Sequence, residues 1–373
     1  MSWYIVIMGL MTIPMAFAYV GYRRKINVDR LIIPVCTVLL LFFMACRSSK
    51  TGADTGQYIY AFQQISNTPL SNLFTMKIYG IGGGYEFNFE YGYRLFNKLI
   101  SLISTDGQAI TIATSIMTLV LLGILIKKKS CYPLLSIWLY ITLGIFQTEM
   151  NMSRNAIAIM ICYLGFQFIR DKKPVKYLLC VFLASMFHSS SILFVPFYWL
   201  FWKVKLTPKF LKSALITAVA LGLGFSIIRP YVVKLLPFGY GRYFSGNTDK
   251  IVSLAVGLFH CLVILLVWLM LDKDRRTEVL ESDKIGIWML IAEVIFFCIG
   301  FDVDMATRMA ALFGPYLLIW VPYLLMNGIQ AEKNRFAAIV IMMLFVGFQY
   351  VLRISVNNIG TTMPYQFFWT LPV

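Results

Sequence analysis

EMNMSRNAIAIM (residues 149–160) and FLASMFHSSS (residues 182–191) decide how this chain is read. In the first, Arg154 stands at the mouth of an apolar run from Ala156 to Phe168. In the second, His188 interrupts another apolar run, 176–202. That run forms either one long helix or two short arms bent at His188. Residues 176–187 rise only about 18 Å at 1.5 Å per residue, so a bent hairpin keeps His188 at membrane depth. With the hairpin, most of the basic clusters, among them Arg23-Arg24-Lys25, Lys127-Lys128-Lys129 and Lys172-Lys173, fall on one side. With one long helix every later loop flips and the bias fades. The positive-inside rule therefore selects the hairpin, and broken helices at membrane depth are tolerated where they line a cavity.

Working outward, the composition agrees with a membrane setting. The 373 residues are 59% hydrophobic and the mean hydropathy is +0.75, against about 45–50% apolar for soluble domains. Runs of roughly 18 apolar residues match the thickness of a bilayer core. Their length and continuity exclude barrel strands, leaving helices. The expectation is a single all-α integral-membrane domain, 1–373, with about ten full transmembrane helices: 2–20, 31–46, 108–126, 132–148, 153–169, 210–228, 251–271, 285–301, 308–327 and 336–352. The re-entrant hairpin 176–202 adds to these. Both termini then lie outside.

The formal charge of +16 would suggest nucleic acid in a soluble protein. Here it marks cytoplasmic loops, and no basic run is interleaved with exposed aromatics. The seven cysteines include no CxxC pair and the two histidines are far apart, so neither a disulfide framework nor a metal spacing is present.

Two outer loops are expected, 47–106 and 229–250. The first contains GIGGGYEF (80–87), which lacks the Lys-Ser/Thr of a phosphate loop and reads as flexible chain. It ends in an amphipathic stretch with Tyr91, Leu95, Leu99 and Leu102 at helical spacing, a helix lying on the membrane. On this topology the outer side gathers Asp54, Glu86, Glu90, Arg94, Glu149, Arg154, His188, Arg229, Arg242, Asp302, Asp304, Arg308 and Arg353. Charges near membrane depth are functional candidates by default. Arg154, Arg242 and Arg308 have guanidinium forks that match phosphate oxygens, although an arginine at a helix end also snorkels. His188, followed by Ser189-Ser190-Ser191, is a candidate base or substrate hydrogen-bonder. Asp54 and Glu90 lie near Tyr58, Tyr60, Tyr91 and Tyr93, a mixture suited to sugars. Asp304 and Arg308, four apart, read as a local ion pair. His260, mid-span without polar neighbours in sequence, reads as packing.

Asp54-Thr55-Gly56-Gln57-Tyr58, Glu90-Tyr91-Gly92-Tyr93, Ser153-Arg154-Asn155-Ala156-Ile157-Ala158 and Ala184-Ser185-Met186-Phe187-His188-Ser189-Ser190 together resemble, in order and spacing, the EpsG-type family of Wzy-like bacterial polysaccharide polymerases. A late arginine opening a span corresponds to Arg308. Asn155 stands where Gln is frequent in the family. The resemblance implies a metal-independent glycosyltransferase without cofactor, multi-pass in the bacterial cytoplasmic membrane, with its active site on the outer face. Its substrates would be polyprenyl-diphosphate-linked oligosaccharides. The surroundings it implies are membrane lipids, a chain-length regulator and a flippase, and no nucleic acid. The implied catalytic residues are His188, Asp54 and Glu90. Arg154 and Arg308 would bind diphosphate, joined by Arg242 on topology alone. Tyr58, Tyr93 and Ser190 would position substrate. An O-antigen ligase, a membrane O-acyltransferase and a transporter or flippase of lipid-linked sugars are the alternatives. Charges clustered at one face and unlike halves weigh against transport.

Overall fold

A computed structural model describes residues 3–5, 7–9, 12, 29–83, 86–235, 250–300, 303–356 and 361–370. These are mostly helical, and the described strands are two dipeptides. The chain divides into two compact units: Met1–Val195 with Phe345–Val373, and Pro196–Leu344.

In the first unit α1 (Asp29–Ala45), α2 (Thr55–Ser66), α3 (Tyr91–Ser101), α4 (Gly107–Lys129), α5 (Pro133–Thr142), α6 (Ile145–Asn151), α7 (Ser153–Gly165), α8 (Gln167–Arg170) and α9 (Pro174–Ser185) follow one another. α4 shows why this is a lipid-type fold. Asp106 caps it by accepting from the Gln108 N–H at 2.7 Å, and Lys127, Lys128 and Lys129 close its last turn, where cations complement the helix dipole. Ile112, Ile116, Val120 and Ile124, spaced four apart, are exposed, while Thr111, Thr114, Ser115 and Thr118 are buried. Apolar residues point out and hydroxyls point in, the reverse of a water-soluble surface helix.

α3 is built the same way. Tyr91, Leu95, Leu99 and Leu102 are exposed, and the buried face carries Tyr93, Arg94 and Asn97. Arg94 does not reach out of the protein. Its Nε donates to Phe89 O at 2.8 Å and its Nη1 to Leu73 O and Met76 O at 3.2 and 2.9 Å, so it ties the loop before α3 to the helix. Burial lowers its pKa from the ordinary arginine value.

The glycine-rich piece differs from the expected flexible chain. Ile78–Tyr79 pairs antiparallel with Glu86–Phe87, and Gly82 and Gly83 adopt φ of +85° and +73° in the connection, where a side chain would be strained. The Gln64 amide clamps this hairpin, accepting from Tyr79 N at 2.9 Å and donating to Tyr79 O at 2.7 Å. Gln57 Oε1 accepts from Ile81 N at 3.0 Å. Hydropathy could not reveal these clamps, because they come from α2.

Several expected spans are interrupted. Gly144, in the left-handed region at φ +76°, separates α5 from α6 within the expected span 132–148, and Phe166 separates α7 from α8 within 153–169, whereas Met152, between α6 and α7, falls at the expected boundary of the two spans. α9 stops at Ser185, and His188, in extended conformation, caps a 3₁₀ turn from Ser189 to Phe194. The break expected at His188 is therefore present.

In the second unit α10 (Phe197–Lys203), α11 (Pro208–Leu235), α12 (Lys250–Met270), α13 (Arg276–Ser282), α14 (Lys284–Gly300), α15 (Asp304–Ala310) and α16 (Leu317–Gly328) precede α17 (Glu332–Val356). α14 packs on α10, α11, α12 and α15. His260 on α12 has a polar neighbour after all: its Nδ1 lies 2.7 Å from Glu293 Oε1 on α14, and both side chains are buried. The pair is 33 positions apart in sequence, beyond any local pattern. α11 continues to Leu235, so the first residues of the expected outer loop 229–250 are helical. The rest of that loop, 236–249, lies outside the described residues.

Among the described residues, three helical stretches suffice by length and composition to cross a membrane: Gly107–Lys129, Met305–Gly328 and Glu332–Ile354. A fourth is possible if Lys209–Gly222 and Gly224–Tyr231, bent by 69°, form one span. Ile33–Ala45, Pro133–Thr142, Pro174–Ser185 and Ala255–Met270 are shorter apolar helices. The larger sequence-based count takes each apolar run as one helix, whereas the backbone breaks several of them, and most of the expected span 2–20 lies outside the described residues.

Candidate active site

Three of the sequence motifs converge in the first unit. Arg154 lies in the first turn of α7. A cation near a helix N-terminus is unfavourable, and the neighbourhood answers with Glu90. Arg154 Nη1 donates to Glu90 Oε2 at 2.5 Å, and both side chains are largely buried, at 14% and 15% exposure. The second carboxylate oxygen, Oε1, accepts the Ser189 N–H at 2.9 Å. Glu90 thus bridges the Arg154 helix and the turn that follows His188.

Close packing fixes the same junction. Tyr93 N donates to Met186 O at 3.0 Å. Gly92 lies so near that a Cβ there would stand 2.6 Å from Met186 Cβ and 2.7 Å from its carbonyl oxygen. Glycine is required because α3 and the end of α9 touch backbone to backbone. Gly92→Ala is expected to push these two segments apart, at a cost of about 1–3 kcal/mol by overpacking. Urea unfolding of the purified protein checks it, with a lower midpoint expected.

Aromatic rings enclose the Arg154 guanidinium. Its Cζ lies 4.3 Å from the Phe89 ring centroid and 5.6 Å from those of Tyr58 and Tyr93, and Tyr58 also hydrogen-bonds it. Cation–π contacts of this kind strengthen when desolvated. Tyr93 is fully buried and Tyr58 nearly so, so both rings wall the arginine rather than an open surface. The Arg154 Nε–H is buried and has no acceptor.

Ser190 orients His188. Its hydroxyl lies 2.7 Å from His188 Nδ1, and its N–H donates to the same nitrogen at 3.3 Å. With Nδ1 accepting, the neutral ring carries its proton on Nε2. Asp54 precedes α2 and makes no side-chain cap bond to it. Its N–H donates to Asn151 Oδ1 at 2.9 Å, three residues before Arg154. Gly52, at φ +91°, allows this approach, and a Cβ there would meet Thr55 Oγ1 at 2.9 Å.

The expected residues therefore separate. Glu90, Arg154, His188, Ser190, Tyr58 and Tyr93 share one cluster, and Asp54 adjoins it through Asn151. Arg308 is on α15 in the second unit, where it is exposed. The Asp304 side chain, Asp302 and Arg242 lie outside the described residues. No group of three or more His, Cys, Asp or Glu that could hold a metal occurs among the described residues. One residue the sequence reading passed over is Arg47, buried two positions beyond α1. Its signal was present, a charge at the mouth of an apolar run, but its partners are as many as 106 residues away.

An apolar helical protein of membrane-spanning character, with a charged cluster assembled from short polar motifs, is the class these features define. The chain belongs to the EpsG family, whose model matches residues 30–367, nearly the whole length. No curated protein and no solved structure matches it.

Proposed function

We propose that this protein is a polysaccharide polymerase that joins polyprenyl-diphosphate-linked oligosaccharide repeat units on the outer face of the bacterial cytoplasmic membrane. EpsG membership points to a glycosyltransferase-like polymerase. The observation that carries the reading is the Arg154–Glu90–Ser189 bridge, which places a caged guanidinium with an unmet N–H beside the His188 turn. In the reaction a hydroxyl at the non-reducing end of one repeat unit attacks the anomeric carbon of another. The new C–O bond forms as the bond from that carbon to the diphosphate oxygen breaks. Polyprenyl diphosphate leaves with the electron pair, and the hydroxyl proton passes to a base. The chain grows by one repeat unit, without metal or cofactor.

Charge accumulates on the leaving diphosphate, and preorganised donors in a site of low dielectric stabilise it better than water does. Arg154 supplies those donors, with its free geometry removed by Glu90, Phe89, Tyr58 and Tyr93. His188, protonated on Nε2, donates to a substrate oxygen. Glu90 is an unsuitable base, since both its oxygens are already engaged. Asp54 is assigned the proton. Arg308 and Arg242 would add to diphosphate binding, and a ten-span topology with a hairpin at His188, as expected from the sequence, would put the site on the outer side.

Asp54→Asn tests the assignment. It is expected to lower kcat by about 10²–10⁴-fold and to remove the acidic limb of the pH–rate profile, with little change in KM. A profile that keeps its acidic limb would place the base elsewhere.

A further inference from the structure

Arg47 is a buried cation that the reaction above does not use. Its side chain is 1% exposed, and every acceptor around it is neutral. Nη1 donates to Met44 O and to Ser115 Oγ at 3.2 Å, Nη2 to Ser153 Oγ at 3.1 Å, and Nε to Thr55 Oγ1 at 3.4 Å. Each hydroxyl passes its own proton to a backbone carbonyl: Ser115 to Thr111 O at 2.6 Å, Thr55 to Thr51 O at 2.8 Å, and Ser153 to Met150 O at 3.3 Å. All three are therefore held as acceptors toward the guanidinium. Among the described residues no carboxylate comes within ion-pair distance of Arg47.

The charge is thus solvated by dipoles but not neutralised, and burying an ion without a counter-charge is unfavourable. Two of its acceptors adjoin the candidate site in sequence: Ser153 precedes Arg154, and Thr55 follows Asp54. Within the cluster, Arg154 and Glu90 offset each other, so that pair alone offers a polyanion little net attraction. Arg47 adds a positive charge that no carboxylate cancels. Fields inside a low-dielectric site are weakly screened, so a buried charge acts across several ångströms without contact.

We propose that Arg47 is a positioning residue for a diphosphate. Its unneutralised buried charge holds the potential at which a diphosphate ester is retained beside Arg154. Its hydroxyl shell keeps the starts of α2 and α7, which carry Asp54 and Arg154, in register. This rests on the polymerase reading for the identity of the anion, and extends it to a residue that touches no substrate atom.

The experiment uses the full-length protein in lipid nanodiscs. It measures binding of inorganic pyrophosphate, with orthophosphate as the lower-charge control, alongside polymer formation. Arg47→Met is expected to weaken pyrophosphate binding by about tenfold, and orthophosphate binding by less. KM for the lipid-linked substrate should rise in parallel. Arg47→Lys keeps the charge but loses the fork, and Ser115→Ala removes one hydroxyl acceptor. Both are expected to stay within about threefold of wild type.

Unchanged pyrophosphate affinity in folded Arg47→Met overturns the proposal. So does a Lys variant as weak as the Met variant, since a purely structural arginine would lose its fork in both. Should Arg47→Met fail to fold, the other two variants decide: retained affinity supports the charge, and lost affinity overturns it. A wild type that polymerises but neither binds nor is inhibited by pyrophosphate sinks this inference and leaves the polymerase standing. A wild type that binds pyrophosphate but forms no polymer does the opposite.

Discussion

Arg154→Ala is expected to abolish polymer formation, lowering kcat by about 10²–10³-fold, the scale seen when one transition-state donor is removed from a preorganised site. The effect should fall on kcat more than on KM, because charge on the leaving diphosphate grows toward the transition state. Arg154→Lys is the sharper variant. It retains the charge but has neither the planar fork nor the stacking surface that faces Phe89, Tyr58 and Tyr93. We expect Lys to recover less than a tenth of the lost activity. Turnover of purified lipid-linked repeat units, resolved by product length, measures both variants, and near-wild-type turnover by Arg154→Ala would remove the diphosphate role.

Glu90→Ala is expected to have the largest effect on stability. It leaves a mostly buried guanidinium without its counter-charge, and breaking a buried pair from one side costs about 3–5 kcal/mol. It also strips the Ser189 N–H of its acceptor, loosening the turn that orients His188. Glu90→Gln separates the two consequences, because an amide oxygen can still accept from Ser189 while the ion pair is lost. Thermal unfolding in nanodiscs should rank the proteins wild type, then Gln, then Ala. A Glu90→Ala protein as stable as wild type would mean that Arg154 carries its charge without Glu90.

Arg154 and His188 were legible in the sequence because the first stands at the mouth of an apolar run and the second interrupts one, where a charge or imidazole is costly. Glu90 was legible as part of a short polar motif, although its role as a bridge was not. That role depends on a contact across 64 residues to Arg154 and 99 to Ser189, and periodicity reports only neighbours within a few residues. Arg47 and Glu293 escaped notice for the same reason. Arg47 gathers hydroxyls from α2, α4 and α7, and Glu293 meets His260 across two helices. Helicity followed directly from the long apolar runs. Their internal breaks were harder to see, since Gly144 sits in a stretch whose hydropathy hardly changes. The exposed apolar stripe on α3 was readable because Tyr91, Leu95, Leu99 and Leu102 share one helical face, whereas the buried role of Arg94 on the other face was not.

The most direct measurement of the central claim supplies the purified wild-type protein with one defined polyprenyl-diphosphate-linked repeat unit in vesicles. Product length and released polyprenyl diphosphate are followed together. The account predicts a ladder of polymers with one polyprenyl diphosphate released per bond formed, lost in Arg154→Ala. Passage of labelled lipid-linked sugar across the bilayer with no chain growth would contradict it and identify a transporter.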